Sequence, residues 1–256
     1  MPALEIRQFP CLSDNFGVIL RDPATNTVAA IDAPEEAAVE AALKAAGWAL
    51  THILVTHHHA DHTDGIAALK ARYKATVIGP KNDAAKIAGL DKTVGGGDSF
   101  KLGQIEVRVL DTPGHTLGHI TFWMPEAKAA FVGDTLFSIG CGRVIEGDMR
   151  MMWESLAKLA ALPADTAIYC GHEYTAANAK FALTIEPENA ALQARAKEVE
   201  GLRAQGKPTL PTTIAAELAA NPFIRPQSQA IRKRLGLEGA EDWQVFAEVR
   251  ERKNKS

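Results

Sequence analysis

The amino-acid sequence predicts an α/β fold in which two groups of strands are interleaved with helices, followed by an all-helical C-terminal region. Short apolar runs, separated by Gly, Pro and helix-like segments, recur up to about residue 170. From about residue 175 the chain is rich in Ala, Glu, Lys and Arg with helical spacing. Two strand groups with interleaved helices are what an αββα sandwich requires. We therefore predict a sandwich domain over residues 1–174 and a helical domain over residues 175–256.

The first elements read as a β-meander followed by a helix and a further strand. Alternation at 4–6 and apolar runs at 16–20 and 28–31 predict three strands, with a turn at 22–26. A helix then opens at 34–36, where a proline and two acids suit the positive end of the helix dipole, and Gly47 closes it. The β-branched apolar run 53–55 is the next predicted strand.

The remaining elements follow from the same periodicities. Further strands are predicted at 76–78, 105–110, 120–124, 129–132 and 167–169, and a helix at 151–162. In the C-terminal region helical spacing predicts helices at 176–185, 189–205, 214–220, 228–235 and 241–253. Pro and Asn residues near 208–211 and 221–222 mark the turns between these helices.

Composition limits the classes of function. With 256 residues the chain can bury a substantial core, and its formal net charge of −3 argues against general nucleic-acid binding. No positive segment followed by an apolar one opens the chain, and no apolar run reaches membrane-spanning length. Cys11, Cys141 and Cys170 are odd in number and widely spaced, as expected of reduced packing residues. We expect a cytoplasmic monomer that binds neither membranes nor nucleic acid.

Residues 56–65 contain four histidines and two carboxylates within ten positions, directly after a predicted strand. A helix would pair His57 with Asp61 at i,i+4, but the preceding run is short and β-branched. Asp64 resembles the cap of a helix that begins only after the cluster. The cluster is therefore predicted to be a strand-to-helix loop, and such a density of His and Asp indicates a metal site.

In a loop of this kind alternate side chains point the same way. His57 and His59 then face one centre, while Asp61 and His62 can face a second, so that two adjacent metals fit the spacing. His58 is predicted to be a spacer that points away.

The pattern His-x-His-x-Asp-His after an apolar strand resembles the metallo-β-lactamase superfamily. The later motifs of that superfamily are also present: 112–119 supplies His115, 131–135 supplies Asp134, and 169–174 supplies His172. The resemblance implies the αββα metallo-β-lactamase sandwich, with each ligand motif just beyond the end of a strand. It implies that one metal is held by His57, His59 and His115, that the other is held by Asp61, His62 and His172, and that Asp134 bridges them.

Imidazole and carboxylate ligands suit zinc, iron and manganese, and zinc is the default expectation for the two divalent ions. Two metals that share a carboxylate would hold a bridging hydroxide as the nucleophile, because coordination lowers the pKa of water. On this view Asp61 and Asp134 are the catalytic carboxylates. No Gly-x-Ser-x-Gly motif offers an alternative nucleophile.

Beyond the metal motifs, the chain resembles the hydroxyacylglutathione hydrolases, or glyoxalase II family, almost end to end. The resemblance lies in residues 140–143, 146–147, 171–175 and 221–225 and in the terminal Arg250-x-x-Lys253. It implies hydrolysis of S-D-lactoylglutathione, and of other 2-hydroxyacylglutathiones, to glutathione and D-lactate as the second step of methylglyoxal detoxification. It implies that the substrate is contacted by Arg143, Ile145, His172, Tyr174, Arg250 and Lys253.

Two points qualify these expectations. Val144-Ile145 stands where an aromatic residue is usual in the family, so only a backbone contact to glutathione is expected at Ile145. Arg250 and Lys253 are three apart on the last predicted helix, and we expect both at a partly exposed face that grips the glycine carboxylate of glutathione.

The alternatives are a persulfide dioxygenase with one iron, a lactone or β-lactam hydrolase, or a metal- or glutathione-binding module without catalysis. The complete two-metal ligand set argues against the dioxygenase, and these relatives do not require the basic helical C-terminus.

Overall fold

The computed structural model describes residues 4–256 and divides the chain into two compact units. One unit contains the chain up to Asp111 together with Thr116–Gly133, and the other contains Thr112–His115 and Asp134–Ser256. The prediction that no export signal opens the chain depends partly on residues 1–3, which lie outside the described residues. The predicted domain boundary at 174/175 remains a prediction.

The first unit contains a six-stranded mixed sheet with strands in the order β1-β2-β3-β4-β5-β6. The three strands of the meander are antiparallel, and β3 to β6 run parallel, with Ala30 opposite Ile53 and Ile53 opposite Val77. The strands are β1 (Glu5–Cys11), β2 (Asn15–Asp22), β3 (Thr27–Ile31), β4 (His52–Leu54), β5 (Thr76–Pro80) and β6 (Lys92–Val94).

Helices pack against this sheet, and apolar side chains of the helices and the sheet together form a buried core. They are α1 (Glu36–Ala46), α2 (Ala60–Thr63) and α3 (Ile66–Tyr73), followed by a 3₁₀ turn at Lys81–Lys86. Gly47 ends α1 in the left-handed conformation, with φ of 70°, which costs glycine little. Val39 and Leu43 of α1 and Leu69 of α3 pack in one buried cluster with Ile19 and Ile53 of the sheet. This packing holds the end of β4 in place. Residues 56–65, which we call the histidine segment, begin just after it.

The first unit also contains the antiparallel strands β7 (Ser99–Leu102), β8 (Ile105–Asp111), β9 (Ile120–Met124) and β10 (Ala129–Gly133), ordered β10-β9-β8-β7. In β8 the buried residues Ile105, Val107 and Val109 alternate with less buried ones, as in a strand with one face on a core. All five residues of β10 are buried. Asp134 follows its last residue directly.

The second unit is mainly helical. Its short strands are β11 (Leu136–Phe137), β12 (Gly140–Cys141), β13 (Ala167–Cys170) and β14 (Thr212–Thr213), paired as β11 with β12 and β13 with β14. Its helices are α4 (Met149–Ala160), α5 (Thr175–Ile185), α6 (Ala190–Ala204), α7 (Ile214–Ala220), α8 (Gln229–Leu235) and α9 (Asp242–Asn254), with a 3₁₀ turn at Pro222–Ile224. Trp153 of α4 lies 6.1 Å from Phe246 of α9, measured between ring centroids.

The predicted α/β order and the helical C-terminal region are confirmed. Each of the five C-terminal helices lies within two residues of its predicted bounds, and α7 matches them fully. The strands β6, β7, β11, β12 and β14 and the helix α2 were not predicted, because segments of two to four residues show no usable periodicity. None of the helices in the described part of the chain is long and apolar enough to cross a membrane.

Candidate metal centre

The histidine segment begins two residues after β4 and is fixed by the neighbouring strands. Val55 N–H donates to the carbonyl of Ile78 at 2.8 Å. Thr56 donates to the Asp32 carboxylate twice, from its N–H at 2.7 Å and from its hydroxyl at 2.9 Å. Asp32 lies just after β3 with φ of 57°, a left-handed conformation that Asp adopts more readily than most residues. The carboxylate is therefore aimed at the start of the segment.

Four donor groups of the segment converge within the first unit. His57 Nε2 lies 3.2 Å from His59 Nδ1, and the rings of His57 and His62 are 4.1 Å apart. His62 Nε2 lies 3.7 Å from Asp61 Oδ2. His57 and His62 are buried, which makes charge on their rings costly unless it is shared with a partner. Buried imidazoles gathered around a carboxylate form a donor set that fits a divalent cation.

The prediction that the whole cluster is a loop is wrong for its second half. Asp61 and His62 lie on the one-turn helix α2, and His59 precedes it with extended backbone. Asp64 does not cap the following helix, because its N–H closes α2 by donating to Ala60 and Gly65 stands at the start of α3. The turn of α2, and not strand alternation, therefore brings Asp61 Oδ2 to 3.7 Å from His62 Nε2.

Asp32 orients His62. Its Oδ2 accepts from His62 Nδ1 at 2.8 Å, which directs Nε2 toward Asp61. Carboxylates in this position fix the ring and raise the basicity of a metal-ligating histidine. Asn15 holds Asp61 through its Nδ2, 3.0 Å from Oδ2. Sequence reasoning missed Asn15, because nothing in its local pattern points to a contact with a residue 46 positions away.

His58 points to a different set of groups. Its Nδ1 lies 2.8 Å from the Asp83 carboxylate, which is 1% exposed and also accepts from the Thr116 hydroxyl at 3.1 Å. His58 therefore has a buried carboxylate partner of its own, and its role as a spacer remains a prediction.

The second unit has a donor group of its own, made of His115, Asp134 and His172, which follow β8, β10 and β13 in the chain. Asp134 Oδ2 lies 3.5 Å from His115 Nε2 and 3.2 Å from His172 Nε2, and all three residues are buried. His115 Nδ1 donates to the carbonyl of Arg143 at 2.9 Å, since a carbonyl can only accept. The Nε2 atom facing Asp134 is then free of a proton in the neutral ring, as metal ligation requires.

The aromatic residues near His172 form a small stack. The rings of His172 and Tyr174 are parallel, with centroids 4.7 Å apart, and Phe137 meets both edge-on. Tyr174 is 37% exposed, so that one side of its ring stays accessible while the other supports His172.

The remaining predicted contact residues differ in exposure. Arg143 and Ile145 are exposed. Lys253 is half-buried, with Nζ 5.3 Å from the Phe181 ring centroid. Arg250 is only 5% exposed, and the expectation that it is partly exposed is wrong. Its guanidinium donates to the carbonyl of Cys141 at 2.9 Å and lies 5.2 Å from the centroid of Phe223.

The three cysteines are buried and free, as predicted for packing residues. Burial raises the pKa of Cys11 to about 12 and that of Cys141 to about 11, and it also raises the pKa of Cys170. Thiols with such pKa values are weak nucleophiles at neutral pH.

Comparisons with known proteins agree with these features. The family model "Metallo-beta-lactamase superfamily" matches residues 15–172, and the model "Hydroxyacylglutathione hydrolase C-terminus" matches residues 173–256. A Brucella anthropi protein named hydroxyacylglutathione hydrolase is 56% identical over 99% of this chain and 97% of its own length. A protein of the same name from Brucella ovis is 55% identical over 98% of each chain.

Solved structures share the fold. ETHE1 from Myxococcus xanthus superposes with a TM-score of 0.69 at 28% identity, covering 96% of this chain and 90% of that one. The BLEG-1 B3 metallo-β-lactamase superposes with a TM-score of 0.67 at 20% identity, covering 86% of this chain and all of that one. The predicted sandwich class is thereby confirmed.

Proposed function

The chain belongs to the hydroxyacylglutathione hydrolase family of the metallo-β-lactamase superfamily, and we propose that it hydrolyses S-D-lactoylglutathione to glutathione and D-lactate. The observation that carries this proposal is 56% identity to a hydroxyacylglutathione hydrolase over 99% of the chain, which includes the C-terminal region specific to that family. The reaction is the second step of methylglyoxal detoxification, and other 2-hydroxyacylglutathiones are expected substrates.

The clustered His and Asp side chains support divalent metal binding. We propose two ions, with zinc as the expected metal and iron or manganese as alternatives. By correspondence with the family motifs, His57, His59 and His115 hold one ion, Asp61, His62 and His172 hold the other, and Asp134 is shared. When bound, such ions act as Lewis acids on a carbonyl and lower the pKa of coordinated water toward about 7.

The chain's own residues then have two tasks. Asp32 and the Arg143 carbonyl accept from Nδ1 of His62 and His115, which fixes the ring orientations and, in the neutral rings, leaves the Nε2 lone pairs available to a metal. The leaving group does not have to be protonated by a general acid. A thiol has a pKa of about 8.5, so its thiolate departs far more readily than an amine. This chemistry accounts for a site rich in metal ligands that requires no strong general acid.

Substrate contacts are assigned by family correspondence to Arg143, the backbone of Ile145, His172, Tyr174, Arg250 and Lys253. The exposed face of Tyr174 and the exposed Arg143 support contact with glutathione, which carries two carboxylates for basic side chains to pair with. Burial and the neighbouring Arg250 lower the pKa of Lys253, and an arriving carboxylate would favour its charged form.

Ile145→Tyr is expected to be tolerated and to lower KM about fivefold, consistent with about 1 kcal/mol for one added hydrogen bond. The side chain is 58% exposed, so a larger ring displaces no core atoms. Steady-state kinetics with S-D-lactoylglutathione measure the change, and Ile145→Phe, which lacks the hydroxyl, is the matched control. A severalfold rise in KM for the tyrosine variant would mean that this position packs against apolar atoms of the substrate.

Lys253→Ala is expected to raise KM severalfold and to leave kcat nearly unchanged, because a remote contact contributes uniform binding. A half-exposed charge pair is worth roughly 1 kcal/mol, and the difference from wild type should shrink as salt is added. Lys255→Ala, two residues further on and exposed, is the control for net charge. An equal effect on a thioester that lacks the glycine carboxylate would remove Lys253 from the proposed contact.

Thioester cleavage is tested by following loss of the S-D-lactoylglutathione absorbance with purified, metal-loaded protein. Oxygen uptake with glutathione persulfide is measured in parallel, and none is expected. Oxygen consumption without thioester cleavage would overturn the proposal. The monomeric state and the cytoplasmic location remain predictions, and light scattering tests the first.

A further inference from the structure

The hairpin β11–β12 connects two parts of the metal centre within the second unit. Asp134 lies two residues before β11, and Arg143, whose carbonyl orients His115, lies two residues after β12. The base of the hairpin is closed by the Gly142 N–H, which donates to the Thr135 carbonyl at 3.1 Å. Any shift of the hairpin therefore moves the Asp134 carboxylate and the partner of His115 together.

The turn of this hairpin is strained. Ile139 is fully buried and has φ of 55°, a left-handed conformation that is unfavourable for a β-branched residue. Such a conformation persists only where surrounding contacts hold it.

Two buried side chains hold the turn, Glu217 in the middle of α7 and Asn221 directly after it. Glu217 Oε2 accepts from the Ile139 N–H at 2.7 Å. Asn221 Nδ2 donates to the carbonyls of Phe137 at 3.3 Å and Gly140 at 3.0 Å, on either side of the turn. Together they bind three backbone groups in four consecutive residues.

The pair is itself tightly bonded and buried. Asn221 Nδ2 also lies 2.9 Å from Glu217 Oε2, and the Thr212 hydroxyl donates to Oε1 at 2.7 Å. Glu217 is 1% exposed and Asn221 is 0% exposed. Burial raises the pKa of Glu217, while the surrounding donors act in the opposite direction. Burying a carboxylate costs free energy that an apolar side chain of the same volume would not cost. We therefore expect Glu217 to have a role beyond packing.

We propose that Glu217 and Asn221 are positioning residues for the metal centre, which hold the β11–β12 turn and through it the Asp134 carboxylate and the Arg143 carbonyl. The proposal rests on the metal centre of the proposed function and extends it to two residues of the C-terminal helical region. Arg250 adds a third anchor on the same hairpin, through its bond to the Cys141 carbonyl.

The test compares Glu217→Leu with Thr212→Val. Leucine fills much of the same volume but offers no acceptor, so the Ile139 N–H and Asn221 Nδ2 both lose the oxygen that they share. Valine removes a hydrogen bond to the same carboxylate without touching the hairpin. Affinity for cobalt(II) is measured by competition with a chelator, and its absorption spectrum reports ligand geometry. Outer-shell partners typically contribute 10–100-fold to metal affinity, so we expect about a tenfold loss for Glu217→Leu and under about twofold for Thr212→Val.

If Glu217→Leu fails to fold, Ser138→Ala still tests the proposal. Ser138 lies in the turn and also hydrogen-bonds to Glu217, and removing one hydroxyl oxygen is a small change. We expect cobalt affinity to fall about threefold, since one of several contacts is lost. Equal losses in Thr212→Val and in the turn variants, or wild-type affinity and spectrum in the turn variants, would overturn the proposal.

The two proposals fail separately. Cobalt affinity is measured without substrate, so a protein that binds metal but cleaves no thioester contradicts the proposed function alone. A wild-type protein that cleaves the thioester, with turn variants of unchanged metal affinity, contradicts the positioning role alone.

Discussion

Asp134→Ala is expected to lose bound metal and to reduce turnover of S-D-lactoylglutathione by more than about 100-fold. Loss of an outer-shell partner already costs 10–100-fold, and Asp134 is the proposed shared ligand itself. Its Oδ2 lies within 3.5 Å of both His115 Nε2 and His172 Nε2, so the alanine also leaves two buried imidazoles without their common carboxylate. Metal content by elemental analysis and kcat/KM on the same sample measure both effects.

His58→Ala is the matched control, since it removes a neighbouring histidine of the same motif that pairs with Asp83. It should keep its metal and most of its turnover, and any loss should be in stability, because Asp83 is buried and loses a partner. Two retained metals and near-normal turnover in Asp134→Ala would refute the shared-ligand role. A loss in His58→Ala as large as in His57→Ala would refute the spacer assignment.

Arg250→Ala is expected to lower the free energy of unfolding by about 2 kcal/mol, to raise KM and to lower kcat. A partly exposed cation that only grips the glycine carboxylate would change KM alone, but Arg250 is buried and a wider effect is expected. The guanidinium donates to the Cys141 carbonyl, and truncation leaves a buried acceptor unsatisfied on the hairpin that follows Asp134. Urea unfolding and steady-state kinetics measure the three quantities.

Lys253→Ala is the comparison for Arg250→Ala, because it lies one helical turn away and is expected to change KM alone. Arg250→Lys should recover the charge but little of the stability. The lysine side chain is shorter and ends in a compact ammonium, which cannot reproduce the contacts of the guanidinium. A change confined to KM with wild-type stability in Arg250→Ala would mean that Arg250 acts only as a surface cation.

The strand ends that precede the ligand motifs could be predicted, because local periodicity locates apolar strands. The ligand set itself was implied by the family resemblance and remains a prediction. The contacts of Asn15 and Glu217 could not be predicted, because they join segments 46 and 78 positions apart that no local pattern relates.

Two errors have specific physical causes. The helix α2 has only four residues, too few for helical spacing to show, so Asp61 and His62 were predicted in a loop. Arg250 was expected at the surface because arginine is mostly exposed, but here its partner is a backbone carbonyl. Side-chain burial of a charged residue depends on such tertiary contacts, which residue type does not reveal.

The measurement that tests the account most directly is stepwise metal reconstitution of chelator-treated protein, with metal content and S-D-lactoylglutathione hydrolysis determined on the same samples. We expect the stripped protein to be inactive and its thioester hydrolysis to return with added zinc, reaching a plateau at two equivalents per chain if both proposed ions are needed. Full hydrolysis by the stripped protein, or a metal-loaded protein that leaves the thioester intact, would contradict the account.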